Sequence, residues 1–313
     1  MPDVYIRTVM LMSTWVTIQV VGHGADQQQA IDRRERVERA FGWFRRVEEC
    51  CTRFDPHSEL MQLSTHVGVA VPVSELLYEA VQFAVAVAEE SAGAFDPTIG
   101  HSMEARGFNR EYRTGQMVQT DLAGQSVSGP LNAVSYRDIR LDSGRKTITL
   151  VRPLILDLGA VAKGLAIDMA ARELIPLEDY SIDAGGDVYV AGHNPDGALW
   201  SIGIRHPRSD DQLIDSLRVS NLAVCTSGDY ERRSAKDDGA HHILNPRTGA
   251  SADAVASVTV VAPTAMAADA LATAAFVLGP TAGIQLLERQ GVNGLMVSPT
   301  LERYSTRDMS SVG

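Results

Sequence analysis

The sequence predicts a protein that mixes helices with strands, and three observations carry that expectation. Helical periodicity dominates the first third of the chain, strand-like segments dominate from Tyr136 onward, and a long apolar helix returns towards the C-terminal end. Between them, residues 154–158 read as a short buried strand, Gly159 as a break, and residues 160–174 as a helix.

In order, residues 9–21 alternate through Trp15, Thr17 and Gln19 as one strand would. Residues 26–53 place Ala30, Val37, Phe41, Phe44 and Val47 on one stripe with arginines opposite, the pattern of an amphipathic helix. Asp55-Pro56 marks a turn before a short helix. Residues 71–74 combine a strand edge with the N-cap Ser74, and the helix it opens, 75–91, is closed by Gly93. Residues 92–100 form a tight loop of small residues, and 101–133, polar and without period, an irregular excursion. Residues 139–141 and 147–151 flank a hairpin turn. Residues 181–190 read as one strand interrupted at Gly185-Gly186, which suits either close approach to a ligand or a bulge. Residues 200–205, 217–220 and 223–226 continue a meander, while 226–230 and 245–249 are polar turns by composition. Residues 257–261 are a β-branched strand, and 265–278 a helix opened after Pro263-Thr264 and stopped by Gly279-Pro280.

Composition narrows the function. The 313 residues are 45% hydrophobic and 21% charged, ordinary globular material in one domain, 1–313. A net charge of −11 argues against nucleic acid or an anionic membrane as a general partner. Three cysteines, Cys50 and Cys51 adjacent and Cys225 distant, make neither a disulfide framework nor a metal spacing. No leader, lipoprotein anchor or membrane span is evident, so a cytoplasmic protein is expected.

Two stretches carry chemistry. The start of the helix after Gly159 gathers backbone N–H groups that attract anions, and Lys163 adds a positive charge there. The same residues also describe an ordinary strand-to-helix corner with Lys163 in solvent. In the second stretch, residues 265–278 are apolar on every face except at Asp269 and Thr273. These lie four apart on one face, and a buried acid needs a cation or several donors. Acid plus hydroxyl suits a hard cation such as Mg2+; a salt bridge from Asp269 to Lys163 or an arginine, with Thr273 bonded to its own helix, is the alternative. His241 and His242 read as surface residues or as a base, and Asp183 and Asp187 as turn caps or ligand contacts. No nucleotide P-loop, serine elbow or dinucleotide fingerprint is present.

Eight stretches resemble, in order, the ApbE family of flavin transferases. They are Met12-Ser-Thr14, Arg53-Phe-Asp-Pro-His-Ser-Glu-Leu60, Gly93-Ala-Phe-Asp-Pro-Thr98, Asp157-Leu-Gly-Ala-Val-Ala-Lys-Gly164, Asp183-Ala-Gly-Gly-Asp187, Thr226-Ser-Gly-Asp-Tyr230, His242-Ile-Leu-Asn-Pro-Arg-Thr-Gly249 and Ala268-Asp-Ala-Leu-Ala-Thr273. The resemblance implies an α+β, two-lobed fold with mixed or antiparallel sheets, packed helices and a flavin cleft between the lobes. It implies Asp269, Thr273 and the Ala160 carbonyl as metal ligands, and Met12, Phe54, Ala94, Phe95, Asp96, Asp157, Lys163 and Ile243 as contacts to FAD. It implies His242 as the base, so that His242, Asp269 and Lys163 form the catalytic set. Three positions depart from the family pattern: Ser13 and Ala160 replace glycines, and Asn245 replaces an aspartate beside His242.

The activity so implied is transfer of FMN from FAD to a Thr or Ser hydroxyl of an acceptor flavoprotein, releasing AMP, with Mg2+ or Mn2+ as the ion. Hydrolysis of FAD to FMN and AMP is the alternative enzyme, and FAD binding without turnover the alternative class.

Overall fold

The computed structural model describes residues 3–22, 27–110, 115, 117, 134–232, 234 and 240–309. It opens with a hairpin, β1 (Asp3–Leu11) and β2 (Thr14–Gly22), where the alternation predicts a single strand. Alternation cannot reveal the break, because the turn residues Met12 and Ser13 look like strand residues. Both hold left-handed backbone, φ 49° and 61°, as a two-residue hairpin turn demands. A glycine takes that conformation without strain, which is why one suits position 13.

Helices α1 (Gln27–Cys51), α2 (Glu59–Ser64) and α3 (Glu75–Glu90) fall where periodicity places them. Ser58 and Ser74 cap α2 and α3, their hydroxyls accepting from the N–H groups of Met61 and Leu77. Between α2 and α3 lies β3 (Val71–Pro72). The expected irregular excursion begins instead with a short helix, α4 (Gly100–Ala105), and most of its remainder lies outside the described residues. Strands β4 (Ile139–Asp142) and β5 (Thr147–Leu150) form the expected hairpin, extended by β3 into a small sheet.

Residues 154–158 do not form the expected strand. They are buried but irregular, because their backbone serves a neighbouring turn: the Asp157 N–H donates to the Pro97 carbonyl and the Ile155 carbonyl accepts from Gly100. An apolar run says that a segment is buried, not that it pairs in a sheet. Helix α5 (Gly159–Leu174) then begins as expected.

The rest of the chain completes the main sheet. Strands β6 (Tyr180–Ala184) and β7 (Asp187–Ala191) replace the single interrupted strand, with Gly185-Gly186 as a hairpin turn at φ 68° and 93°. Strands β8 (Trp200–Arg205) and β9 (Leu213–Val219) form a separate ribbon. Strand β10 (Leu222–Gly228) absorbs Thr226, Ser227 and Gly228, which composition assigns to a turn. β11 (Ser257–Ala262), helix α6 (Ala265–Arg289), β12 (Asn293–Val297) and β13 (Arg303–Ser305) follow. The expected stop at Gly279 is a kink rather than an end: Gly279 leaves helical geometry at φ 77° and Pro280 starts a further helical stretch.

The eight strands run β1-β2-β6-β7-β10-β11-β12-β13, with every neighbouring pair antiparallel. One face packs against α1, α5 and α6, with Phe41, Phe44, Ile18, Ile182, Val258 and Phe276 in its core. The other carries the β8–β9 ribbon, whose Trp200 packs with Val188, Val190 and Val224. By length and apolarity α6 could cross a bilayer, contrary to the expectation from composition. It is packed against α5, β10 and β11, and it buries a carboxylate.

Candidate functional site

The site forms where the first turns of α5 and α6 meet one end of the main sheet. The two helices approach closely because Gly164 has no side chain. A Cβ there would stand 2.5 Å from both the Ala265 carbonyl oxygen and the Met266 Cα. Asp168, one turn further along α5, accepts from the N–H groups of Ala265 (2.7 Å) and Met266 (2.9 Å) and so pins the start of α6. Asp269 is thereby brought against α5, near enough for the Gly164 N–H to favour its charged form. In an unbroken helix that N–H is aimed at the Ala160 carbonyl, the group expected to serve as backbone ligand.

Asp269 is 7% exposed, and its Oδ2 has no hydrogen-bond partner among the described residues. Burial pushes its carboxyl up to about 7, against the pull of Lys163. The expected alternative, a salt bridge to Lys163, does not form: the ammonium pairs with Asp187 of β7 instead. Nor does Lys163 stand free in solvent. Burial disfavours its charge, but Asp187 and Asp269 outweigh that and hold it above its ordinary value. Asp187 is no turn cap, since its Oδ1 accepts from the Thr226 N–H at 3.0 Å. Asp183 is one, accepting from Gly186 at 2.9 Å. Thr273, one turn after Asp269, shares a 3.2 Å hydrogen bond with Ser227 of β10 rather than bonding its own helix.

A second acid guards the entry to α5. Asp157 accepts from Gly159 N–H (2.8 Å) and from Arg53 Nε (2.6 Å). Burial opposes its charge, yet Arg53 prevails and holds the carboxyl below its ordinary value. Arg53 is 5% exposed, lies 4.4 Å above the Phe54 ring and also donates to the Phe108 carbonyl, leaving Nη1 without a partner among the described residues. Beside it, Ala94 and Phe95 are buried, and Asp96 uses both oxygens within the chain, accepting from Thr98 and from the Tyr136 N–H. Burial raises the Asp96 carboxyl despite those bonds.

His241 is buried and His242 half-buried. The His241 ring contacts the Ala252 carbonyl at 2.7 Å and stands edge-on to Phe276. The His242 backbone N–H donates to the Arg232 carbonyl, and its ring Nδ1 is buried without a partner among the described residues. Burial, with Arg232, His241 and Lys163 nearby, pushes the ring down to about 3, so it is neutral at ordinary pH. Ile243 beside it is buried. Asn245 caps a turn, its side-chain oxygen accepting from Arg247 N–H at 3.0 Å; an amide oxygen does this as an aspartate would, so the replacement leaves the turn intact.

Asp157, Lys163, Asp269, Thr273 and His242 thus gather at one end of the sheet, with Phe54 and Asp96 on the Arg53 side. Met12 sits at the β1–β2 tip, at the same end of the sheet, where its neighbour Thr14 lies close against Gly185. Residues 12–296 match the model of the ApbE family. The chain belongs to the ApbE family. Curated relatives named FAD:protein FMN transferase include those of Treponema pallidum, 30% identical over 94% of this chain and 84% of that protein, and of Vibrio cholerae, 30% identical over 85% and 80%. An ApbE protein of Thermotoga maritima superposes with a TM-score of 0.84 at 30% identity, covering 99% of each chain. The flavin transferase ApbE of Vibrio cholerae shares the fold at a TM-score of 0.82 and 24% identity, covering 100% of each. The α+β fold, with its antiparallel sheets and packed helices, is therefore that of the ApbE proteins.

Sequence reasoning missed Asp168, Ser227 and Arg232, and gave Arg53 no role of its own. Arg53 and Ser227 sit inside two of the ApbE-like stretches, which is a signal of position; Asp168 and Arg232 lie outside all eight.

Proposed function

We propose that the protein transfers FMN from FAD to a Thr or Ser hydroxyl of an acceptor flavoprotein, requires Mg2+ and releases AMP. The observation that carries this reading is Asp269 Oδ2, a buried carboxylate oxygen without a partner among the described residues, one helical turn before the Thr273 hydroxyl. No group of three or more His, Cys, Asp or Glu side chains suited to a metal occurs among the described residues. A donor set of Asp269, Thr273 and the Ala160 carbonyl suits Mg2+, which takes few protein ligands and keeps places for phosphate and water. Bound there, Mg2+ would neutralise charge developing on the pyrophosphate.

The reaction forms a bond from the acceptor oxygen to the FMN-side phosphorus. The bond from that phosphorus to the bridging oxygen breaks, and its electron pair leaves with AMP. His242, held neutral by burial, is the residue assigned to take the hydroxyl proton. Lys163 orders Asp187 and, through it, the start of β7 against α5. The aromatic and apolar residues Phe54, Ala94, Phe95 and Ile243 offer a flavin a water-poor wall.

Incubation with FAD, Mg2+ and an acceptor peptide, followed by mass spectrometry, tests the reading. An adduct of FMN mass is expected from the wild type and none from Asp269→Ala. AMP release without any adduct would assign hydrolysis, and equal labelling by Asp269→Ala would remove the site from the reaction.

A further inference from the structure

Charge accounting around the site leaves one cation uncommitted. Arg53, Lys163 and Arg232 are the cations that act on Asp157, Asp269 and His242. Arg53 is taken by Asp157 and the Phe108 carbonyl, and Lys163 by Asp187. Arg232 has no ion-pair partner among the described residues. Its carbonyl accepts the His242 N–H at 3.1 Å, which fixes its backbone beside the expected base. Its side chain is exposed and acts electrostatically on both Asp157 and Asp269. A substrate whose pyrophosphate brings two negative charges into a place already holding Asp157, Asp183, Asp187 and Asp269 meets repulsion unless a free cation faces it.

We propose that Arg232 binds the pyrophosphate of the substrate through its guanidinium. Arg232 would add to the positive charge expected from Lys163, whose ammonium also pairs with Asp187. A guanidinium suits the task, since its forked donors match two phosphate oxygens and it stays charged at every working pH.

This inference rests on FAD being the substrate, and calorimetric titration of FAD with Mg2+ into wild type, Arg232→Gln and Arg232→Lys separates the two. The Gln variant is expected to bind FAD about 10- to 100-fold more weakly, the range for losing a hydrogen bond to a charged group. The Lys variant should recover most of that loss, and both should unfold at the wild-type temperature, as suits an exposed side chain. Binding of riboflavin, which carries no phosphate, should not change. Equal affinity of wild type and Arg232→Gln for FAD would overturn the inference while leaving the proposed function standing. So would equal losses in the Gln and Lys variants, or a parallel loss of riboflavin binding, since each would assign shape rather than charge. A wild type that binds no FAD would remove both.

Discussion

Asp157 and Asp269 stand at the two ends of the first turn of α5, and the chain treats them in opposite ways. Asp157 has a matched guanidinium and a backbone N–H, and its carboxyl is held below the ordinary range. Asp269 has a lysine that pairs elsewhere, an oxygen unpartnered among the described residues and a carboxyl pushed up to about 7. A buried charge is retained against its desolvation cost only where something compensates it. For Asp157 the compensation lies inside the protein. For Asp269 it is incomplete among the described residues, as the proposed metal role requires.

The sharpest way to break that comparison is to neutralise each acid in turn. Asp269→Asn should lower FMN transfer about 10²- to 10³-fold, the usual loss when one electrostatic contact to a transition state is removed. It should not lower the unfolding free energy, because it removes an under-compensated buried charge. Asp157→Asn should do the reverse, costing about 3 kcal/mol of stability by leaving Arg53 buried without its counter-charge. Urea unfolding followed by fluorescence, beside adduct formation by mass spectrometry, reads both. An Asp269 variant that unfolds easily and an Asp157 variant that does not would invert the assignment.

A smaller effect tests how Asp269 is positioned. In Gly164→Ala the new Cβ would overlap the Ala265 carbonyl, so α5 and α6 must separate. Overpacking of this kind costs about 1–3 kcal/mol. Because Gly164 packs against the start of the helix that carries Asp269, transfer should fall about 10-fold or more, well beyond what the stability loss explains. Unchanged transfer in a destabilised Gly164→Ala would show that the helix crossing supports the fold and not the acid.

These contrasts also show what was legible in advance. Helices α1, α3 and α5 and the first part of α6 follow from apolar spacing and caps, which are local. Asp269 was visible as a candidate because an acid in an otherwise apolar helix contradicts its surroundings. Its being unpartnered was not visible, since that depends on where Lys163 goes, and Lys163 meets Asp187 from a strand that follows α5. The Met12–Ser13 and Gly185–Gly186 turns were hidden for another reason. Alternation continues across a two-residue turn, so one strand and a tight hairpin share a pattern. Residues 154–158 show the converse, an apolar run that is buried yet bonds to a turn rather than to a sheet.

A further effect concerns His242, a third titratable group of the site, whose solution is to carry no charge at all. Its folded value is about 3, below the ordinary 6.5, first through burial and then through Arg232. Between those values the unfolded chain holds a proton that the folded chain does not, so unfolding becomes more favourable as pH falls. The histidine's contribution to stability is therefore complete above about pH 6.5 and is lost as pH drops towards 3, by at most about 1.4 kcal/mol per pH unit. His242→Asn cannot titrate, whereas the carboxylates titrate in both proteins and cancel in the difference. The gap in unfolding free energy between wild type and His242→Asn should be flat above pH 7 and fall steadily from pH 6.5 to 4. Parallel curves would mean that the folded protein already carries a charged His242. A charged imidazole beside Arg232 would need a carboxylate to hold it, and Asp269 would then be committed within the protein after all, erasing its difference from Asp157.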